Sequence, residues 1–223
     1  MMTEKVQNLF SPCPETIRKH LEFITSGMDQ YADGRMEVGG LSKTENYALS
    51  EIDKKVAAAV KLNETGQNTY LVGALLDPDI FPTGRSGDKD FYASSVVWAD
   101  IDDPHDADAL KSLYAVCPPN RAVVTARTPT RRIQLWWKLS EPLGDSDTLR
   151  EALIGICQAL GGDSMVTNPT SLMRVAGTVN FPTEKKQAKG RVTEKTEYAE
   201  IHNRAWHIDE ILRAYPVKDY ASN

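Results

Sequence analysis

The sequence predicts an α/β (α+β) fold, and three observations support this prediction. Apolar residues recur at helical spacing, most clearly from Asp147 to Leu160. Short runs rich in β-branched and aromatic residues, such as Ser95 to Asp102, predict strands. Two further runs, Ala122 to Ala126 and Arg132 to Leu139, are joined by a turn around Thr128 to Arg131 and predict a hairpin. Helices, hairpins and crossovers in one chain indicate a mixed architecture.

Two helices and a strand are predicted before residue 90. Pro14 to Thr25 has a proline in its first turn and an apolar stripe along one face. Ser50 to Asp53 resembles a capping box that begins a second helix running through Val60. Thr69 to Leu76 predicts a strand, and a loop rich in glycine, proline and aspartate around Pro82 to Asp88 follows it.

The same kinds of sequence signal predict the helices and strands of the second half of the chain. The helix over Asp147 to Leu160 is expected to end at the Gly161-Gly162 pair. The other predicted elements are, in chain order, a short helix at Asp106 to Ala115, a loop and short helix at Pro169 to Met173, a strand near Thr193 to Ile201 and a closing helix from Ile208 to Tyr215.

Composition and charge limit the class of protein. A chain of 223 residues that is 41% hydrophobic and has no long apolar run predicts a globular protein outside the membrane. We interpret residues 1–223 as one domain with an N-terminal lobe of about 1–90 and a second lobe of about 91–223. The N-terminal residues lack a signal-peptide core, so a cytoplasmic location is expected. The net charge of −5 argues against a broad basic surface that coats nucleic acid.

The cysteines give no sign of a metal or disulfide framework. Cys13, Cys117 and Cys157 are odd in number and far apart. This spacing fits neither a set of disulfides nor a zinc knuckle. We therefore predict ordinary buried thiols and no zinc.

Asp100 and Asp102 end a predicted strand and are the most informative pair in the sequence. Because side chains alternate across a strand, both carboxylates would point to one face and Ile101 to the other. Adjacent carboxylates suit Mg²⁺ or Mn²⁺ better than zinc. The spacing alone equally fits a solvated strand end before a helix. The acids of that following turn are interpreted as capping residues: Asp103, Asp106 and Asp108.

A basic segment follows the aspartates. Between Arg121 and Lys138 there are five basic residues and no acid, as expected of a cleft that binds a triphosphate. Arg132 shares a strand face with Gln134, which makes Arg132 the better candidate to reach a phosphate. Arg131 would point the other way. The alternative is that both arginines flank a hairpin turn in solvent.

Three motifs occur in a fixed order: Asp100-x-Asp102, the basic strand Arg131 to Leu139, and Asp163 followed by Arg-Val-Ala-Gly-Thr-Val-Asn over 174–180. In this order the sequence resembles the catalytic domain of the archaeo-eukaryotic primase superfamily, particularly the primase-polymerases of phages, plasmids and integrated elements. The resemblance extends over roughly Phe23 to Tyr215. It implies a mixed sheet of the RNA-recognition-motif (RRM) type that carries the aspartates and packs on an N-terminal α/β lobe.

The resemblance also implies roles for individual residues. Asp100, Asp102 and Asp163 would be catalytic ligands of two Mg²⁺ or Mn²⁺ ions. The family's second motif usually ends in a histidine that contacts nucleotide phosphates, and Gln134 stands at the matching position. An amide can donate a hydrogen bond to phosphate but cannot supply the charge of an imidazolium. The residues expected to bind nucleotide are Arg132, Gln134, Arg131 and Arg174.

Other interpretations of these residues stay open in the sequence. Asp163 also fits an ordinary polar residue after a helix stop, with Arg174 as its buried ion-pair partner. Asn180 fits a turn residue as well as a ligand. One of two adjacent tryptophans is predicted to lie in the core and the other to lie there or stack on a base: Trp136 and Trp137. The basic loop is predicted to be solvated or to contact template phosphates: Lys185, Lys186, Lys189 and Arg191.

The expected function is DNA-directed nucleotidyl transfer by a DNA primase or polymerase. The expected partners are a single-stranded DNA template, NTP or dNTP substrates, and a separate or downstream helicase, since no phosphate-binding ATPase loop occurs in this sequence. An alternative is a non-catalytic module that binds replication origins or single strands, which the acidic net charge and Gln134 support. A metal-dependent nuclease or phosphohydrolase is a third interpretation, against which the basic hairpin and the Gly-Thr-x-Asn segment count.

Overall fold

The computed structural model describes residues 10–81, 83–102 and 115–218. Within them the chain forms the predicted α/β fold, with one large sheet and helices packed on both of its faces. The predicted helix at Asp106 to Ala115 lies almost entirely outside the described residues, as do the acids of the turn before it. None of the described helices is long and apolar enough to cross a membrane.

Five α-helices occur in the described residues. In chain order they are α1 (Pro14–Thr25), α2 (Ile52–Glu64), α3 (Ser146–Leu160), α4 (Glu184–Gln187) and α5 (Ile208–Ala214). The best predicted of them is α3. The Asp145 side chain accepts hydrogen bonds from the backbone amides of Asp147 and Thr148, and Gly161 ends the helix at φ 67°, a conformation that favours glycine.

Eleven strands occur in the described residues. They are β1 (Arg35–Gly39), β2 (Thr44–Ala48), β3 (Tyr70–Val72), β4 (Leu75–Leu76), β5 (Phe91–Ile101), β6 (Arg121–Ala126), β7 (Arg132–Leu143), β8 (Leu172–Arg174), β9 (Val179–Asn180), β10 (Glu194–Lys195) and β11 (Glu197–Glu200). The predicted hairpin is confirmed as β6 and β7, and the predicted strand near Thr193 to Ile201 is two strands.

Nine of these strands form one sheet in the order β11-β6-β7-β5-β4-β1-β3-β8, with β2 paired to the free side of β1. The two strands β9 and β10 form a separate ladder. A mixed sheet was expected, but every pairing between these strands is antiparallel. The short β4–β5 pairing joins the two halves of the sheet, so residues before and after position 90 share one hydrogen-bonded surface.

The two sheet faces have different covers. On one face Trp136 packs against Trp98 and against His20 of α1, at ring-centroid distances of 5.8 and 5.1 Å. On the other face Trp137 meets Tyr215, just after α5, at 6.0 Å. Trp136 and Trp137 are both 0% exposed, so neither is available to stack on a base. Both tryptophans belong to the core.

Two predicted helix features were wrong. Helix α2 begins at Ile52, and the Glu51 side chain accepts a hydrogen bond from the Ala48 amide, so Ser50 to Asp53 does not form the expected capping box. The short helix expected at Pro169 to Met173 is instead a turn followed by β8. Tertiary strand pairing decides the conformation there, since β8 is held against β3 through three residue pairs.

The β1–β2 hairpin was missed because its pattern contains a buried charge. Glu37 of β1 is fully buried, and its carboxylate accepts hydrogen bonds from Arg85 Nη1 at 2.7 Å and from the Ser86 amide at 2.8 Å. A glutamate at an inward position hides the alternation that marks a strand. The predicted strand Thr69 to Leu76 is instead two strands, β3 and β4, which are interrupted at Gly73. A Cβ atom at Gly73 would lie 2.6 Å from the Trp98 ring and clash with it.

Candidate functional site

A cavity of about 210 Å³ lies at the ends of β5 and β7, on the face that carries Trp98 and Trp136. It collects six of the seven predicted site residues. The lining comprises Tyr70, Asp100, Asp102, Thr125, Arg132, Gln134, Asp163, Leu172, Arg174, Asn180, Lys186 and Arg191. Carboxylates, arginines and a lysine from distant parts of the sequence therefore share one small polar space.

Hydrogen bonds of the backbone assemble this cavity. Asp100 and Gln134 are direct partners in the β5–β7 pairing, which places their side chains together on one face. The backbone amide of Asp163 donates to the carbonyl oxygen of Asp100 at 2.8 Å. A Cβ at Gly162 would lie 3.1 Å from that same carbonyl oxygen, so a glycine suits this close approach. The Gly-Gly stop after α3 thus delivers Asp163 to the end of β5.

The three carboxylates carry mutually unfavourable charge. Burial raises the pKa of Asp100 to about 6, the Gln134 hydrogen bond opposes this rise, and the charges of Asp102 and Asp163 add to it. Such a cluster favours either a proton or a cation. Because the donors are all carboxylate oxygens, their chemistry fits Mg²⁺ or Mn²⁺ rather than zinc.

Each carboxylate also has a protein partner in this arrangement. Asp102 is paired with the guanidinium of Arg132, and Asp163 Oδ1 accepts a hydrogen bond from the Met165 amide at 2.9 Å. Across the parts of the chain that the structure describes, no three His, Cys, Asp or Glu side chains form a group that could hold a metal ion. The three-carboxylate metal site stays a prediction, and a cation there would compete with Arg132 for Asp102.

Gln134 is a bridging residue. It is 3% exposed, and its Nε2 atom donates to Asp100 Oδ2 at 3.3 Å while its Oε1 atom accepts from the Arg174 backbone amide at 3.1 Å. From its position on β7 the amide therefore contacts both β5 and β8. Its expected contact with phosphate stays a prediction, and its present contacts orient Asp100.

Arg174 presents an unsatisfied cation to the cavity. The residue is 8% exposed, its guanidinium lies 4.5 Å above the Tyr70 ring, and its Nη1 atom is buried without a hydrogen-bond partner. Burial lowers its pKa, since the charged form has lost solvent. No ion pair joins Arg174 to Asp163 in the described residues, so the proposed structural pairing is not seen. A buried guanidinium with an open donor suits an anion.

Two other predicted residues have clear positions. Arg131 is exposed at the β6–β7 turn and does not line the cavity, so its role in nucleotide binding stays a prediction. Asn180 lines the cavity, but its Nδ2 atom donates to the carbonyl oxygen of Thr125 at 2.8 Å. That bond fastens β9 beside β6, which supports the structural interpretation of Asn180.

Sequence reasoning missed part of the lining. Tyr70 and Thr125 were not selected, because each lies in a strand that resembles any other apolar strand. Lys186 and Arg191 were noted only as part of a basic loop. Their position depends on how that loop folds back over the cavity, which local sequence patterns do not encode.

Comparison with known proteins identifies the fold. No family model and no curated protein matches this sequence. The primase domain of the cyanophage S-2L primase-polymerase superposes with a TM-score of 0.65 at 17% identity, over 92% of this chain and 100% of that chain. The catalytic domain of primase RepB′, solved in complex with initiator DNA, gives a TM-score of 0.56 at 13% identity, over 90% and 92% of the two chains. A second RepB′ structure gives a TM-score of 0.56 at 13% identity and is covered over 62% of its length. The chain therefore has an archaeo-eukaryotic primase-type fold, as the order of its motifs predicted.

Proposed function

We propose that this protein is a DNA-directed nucleotidyltransferase that synthesises primers on single-stranded DNA and extends them. One observation carries the proposal: a single cavity brings Asp100, Asp102 and Asp163 together with Arg132 and Arg174. Nucleotidyl transfer needs both kinds of group, because negative charge must be balanced on the triphosphate while a hydroxyl is made nucleophilic.

The carboxylates would supply the metal-binding side of the site. Asp100, Asp102 and Asp163 would hold two Mg²⁺ or Mn²⁺ ions, and the raised pKa of Asp100 is consistent with a carboxylate cluster that requires cations. When bound, such ions lower the pKa of an attacking hydroxyl and stabilise the leaving phosphate oxygens. Gln134 contributes by holding the Asp100 carboxylate in one orientation.

The cations would supply the phosphate-binding side. Arg174 has an open, buried Nη1 donor, and Arg132 is released toward phosphate if a metal replaces it at Asp102. Positioning of the triphosphate in this way accounts for much of the rate in phosphoryl-transfer sites, since little covalent chemistry is asked of the protein.

Single-stranded DNA is the proposed template. One structural neighbour is a primase catalytic domain bound to initiator DNA, and the chain superposes on 92% of it. At 13% identity this likeness establishes the fold, so the template is part of the proposal. The helicase that would supply such single strands is expected to be a separate protein or a downstream segment.

An extension assay tests the proposal. The protein would be incubated with a single-stranded template, labelled nucleotides and either MgCl₂ or MnCl₂, with and without an annealed primer. We expect metal-dependent products that are lost in Asp100→Asn and Asp102→Asn. Asp147→Asn is the matched control, since Asp147 is an exposed acid at the start of α3.

The same assay separates the alternatives. Shortening of the template without product growth identifies a nuclease and contradicts the proposal. Template binding that needs no metal and survives both aspartate substitutions, together with an absence of products, identifies the non-catalytic module. Growth of products that is equal in the wild type and in both aspartate variants excludes the proposed site.

A further inference from the structure

The segment between β9 and β10 contributes two cations to the cavity. Lys186 and Arg191 line the same space as Asp100 and Arg174. Neither side chain has a hydrogen-bond or ion-pair partner in the described residues, although the protein is acidic overall. Lys186 is exposed and Arg191 is half-buried, so both cations remain accessible to a ligand that enters the cavity from solvent.

The fold of this segment keeps the two cations together. Lys186 lies in the one-turn helix α4, and the Arg191 amide donates to the Lys186 carbonyl oxygen at 3.2 Å. Gly190 adopts φ 83°, which favours glycine and reverses the chain between them. The Gln187 side chain donates to the Pro182 carbonyl oxygen at 3.0 Å and closes the base of the loop.

Charge is distributed unevenly within the cavity. The guanidinium of Arg132 is neutralised by Asp102. Lys186 and Arg191 have no acidic partner among the described residues. Arg174 forms no ion pair there, although the charge of Asp100 acts on it, and its Nη1 atom is buried without a hydrogen bond. This side of the cavity therefore has an excess of positive charge, which an anion with several negative charges would balance. A nucleoside triphosphate provides adjacent charges within one small volume, whereas a DNA strand carries one charge per phosphate.

We propose that Lys186 and Arg191, with Arg174, form a clamp for the triphosphate group of the incoming nucleotide. The inference rests on the proposed function, since it assigns the phosphate-binding side of the same cavity. The clamp supplies the positive charge that Gln134 cannot provide. Two of its three cations, Lys186 and Arg191, come from a loop after the last site motif, and none comes from the strand that carries Gln134.

Nucleotide binding tests the clamp without any requirement for catalysis. Binding of dATP and of deoxyadenosine would be measured by isothermal titration calorimetry for Lys186→Ala and Arg191→Ala. We expect each substitution to weaken dATP binding by about tenfold, the usual effect of losing a charge-assisted contact, and to leave deoxyadenosine binding unchanged. Lys185→Ala and Lys189→Ala are matched controls, because both residues are exposed in the same segment and lie outside the cavity lining. Equal dATP affinities in clamp and control variants would overturn the inference.

Two further measurements keep the result unambiguous. Lys186→Arg retains the charge and is expected to restore dATP binding to within a few-fold of wild type, whereas failure to restore it counts against the clamp.

In the extension assay the clamp variants are expected to raise the KM for nucleotide about tenfold, with a smaller change in kcat. If clamp variants weaken dATP binding while the wild type makes no product, the clamp stands and the proposed function fails. If the wild type extends primers and clamp variants keep its KM, the clamp fails and the proposed function stands.

Discussion

The Nε2 atom of Gln134 donates to Oδ2 of Asp100 at 3.3 Å, across the β5–β7 pairing. Its Oε1 atom accepts from the Arg174 backbone amide, so one amide couples the carboxylate cluster to the strand that carries the open arginine. This coupling gives a glutamine a structural reason to occupy a position where the resembled family usually has histidine.

Gln134→Ala tests that coupling. The substitution leaves the Arg174 amide and the Asp100 carboxylate without a partner, so we expect the free energy of unfolding to fall by about 1–3 kcal/mol. Urea unfolding measures it. Gln67→Ala, at an exposed glutamine in the turn after α2, is the control and is expected to change stability by less than about 0.5 kcal/mol. Equal losses in the two variants would contradict the bridging role.

The strand periodicity was sufficient to place Asp100 with Asp102 on one face of their strand and Gln134 with Trp136 on one face of theirs, because alternation depends only on local geometry. That Asp100 and Gln134 face each other follows from the β5–β7 register, which periodicity does not give. It could not place Lys186, whose position depends on a loop folding over the cavity. Nor could it show that Glu37 is buried, since the compensating Arg85 lies far away in the sequence. Tertiary partners of charged residues are the part of this fold that patterns do not reveal.

Manganese is expected to stabilise the protein through the carboxylate cluster. A ligand that binds only the folded state adds about 2.7 kcal/mol to the free energy of unfolding when its concentration is a hundred times its Kd. The midpoint of thermal unfolding then rises. Asp100→Asn and Asp102→Asn are expected to reduce this rise, and Asp147→Asn to retain it. Differential scanning fluorimetry across a MnCl₂ series measures the effect. An identical rise in all four proteins would exclude the cluster as the metal site.

Arg132→Met is expected to strengthen manganese binding, because Arg132 is paired with the Asp102 carboxylate. Removing it frees the carboxylate and eliminates a competing positive charge. The Kd for Mn²⁺, measured by calorimetry, should fall several-fold relative to wild type. A weaker affinity in Arg132→Met would indicate that the arginine orients Asp102 for the metal instead of competing with it.

Arg174→Met should separate stability from ligand binding. The arginine is buried and its Nη1 atom is unpaired, so replacing it with an apolar side chain of similar length removes a desolvation cost. We expect the free energy of unfolding to stay equal or rise by about 1 kcal/mol, while dATP binding weakens by about tenfold. Arg213→Met, at an exposed position of α5, is the control for both readouts. A large loss of stability would show that Arg174 is mainly a structural residue.

Trp136 and Trp137 are expected to affect stability and not DNA binding, because both are fully buried. The Nε1 atom of Trp136 has no hydrogen-bond partner, whereas that of Trp137 donates to the Cys117 carbonyl oxygen at 2.7 Å. Trp137→Phe should therefore cost about 1 kcal/mol more than Trp136→Phe in urea unfolding. Fluorescence anisotropy with a labelled single strand should give unchanged DNA affinities in both variants. A loss of DNA affinity in Trp136→Phe alone would support stacking of Trp136 on a base.

The buried Lys138 is expected to make the free energy of unfolding depend on pH. Its Nζ atom donates to the carbonyl oxygens of Phe23 and Ser26 and to Ser95 Oγ, and burial lowers its pKa to about 7. In the unfolded chain the pKa of a lysine is about 10.4, so between pH 7 and pH 10 the unfolded state binds more protons than the folded state. Stability contributed by this group must then rise with pH across that window and stay constant below it. We expect the difference in unfolding free energy between wild type and Lys138→Met to increase in favour of wild type by about 2.5 kcal/mol from pH 6.5 to pH 9. Taking the difference cancels groups that titrate in both proteins. A constant difference over this range would mean that Lys138 stays charged in the folded protein, held by its three acceptors and by the Phe23 ring 5.7 Å away.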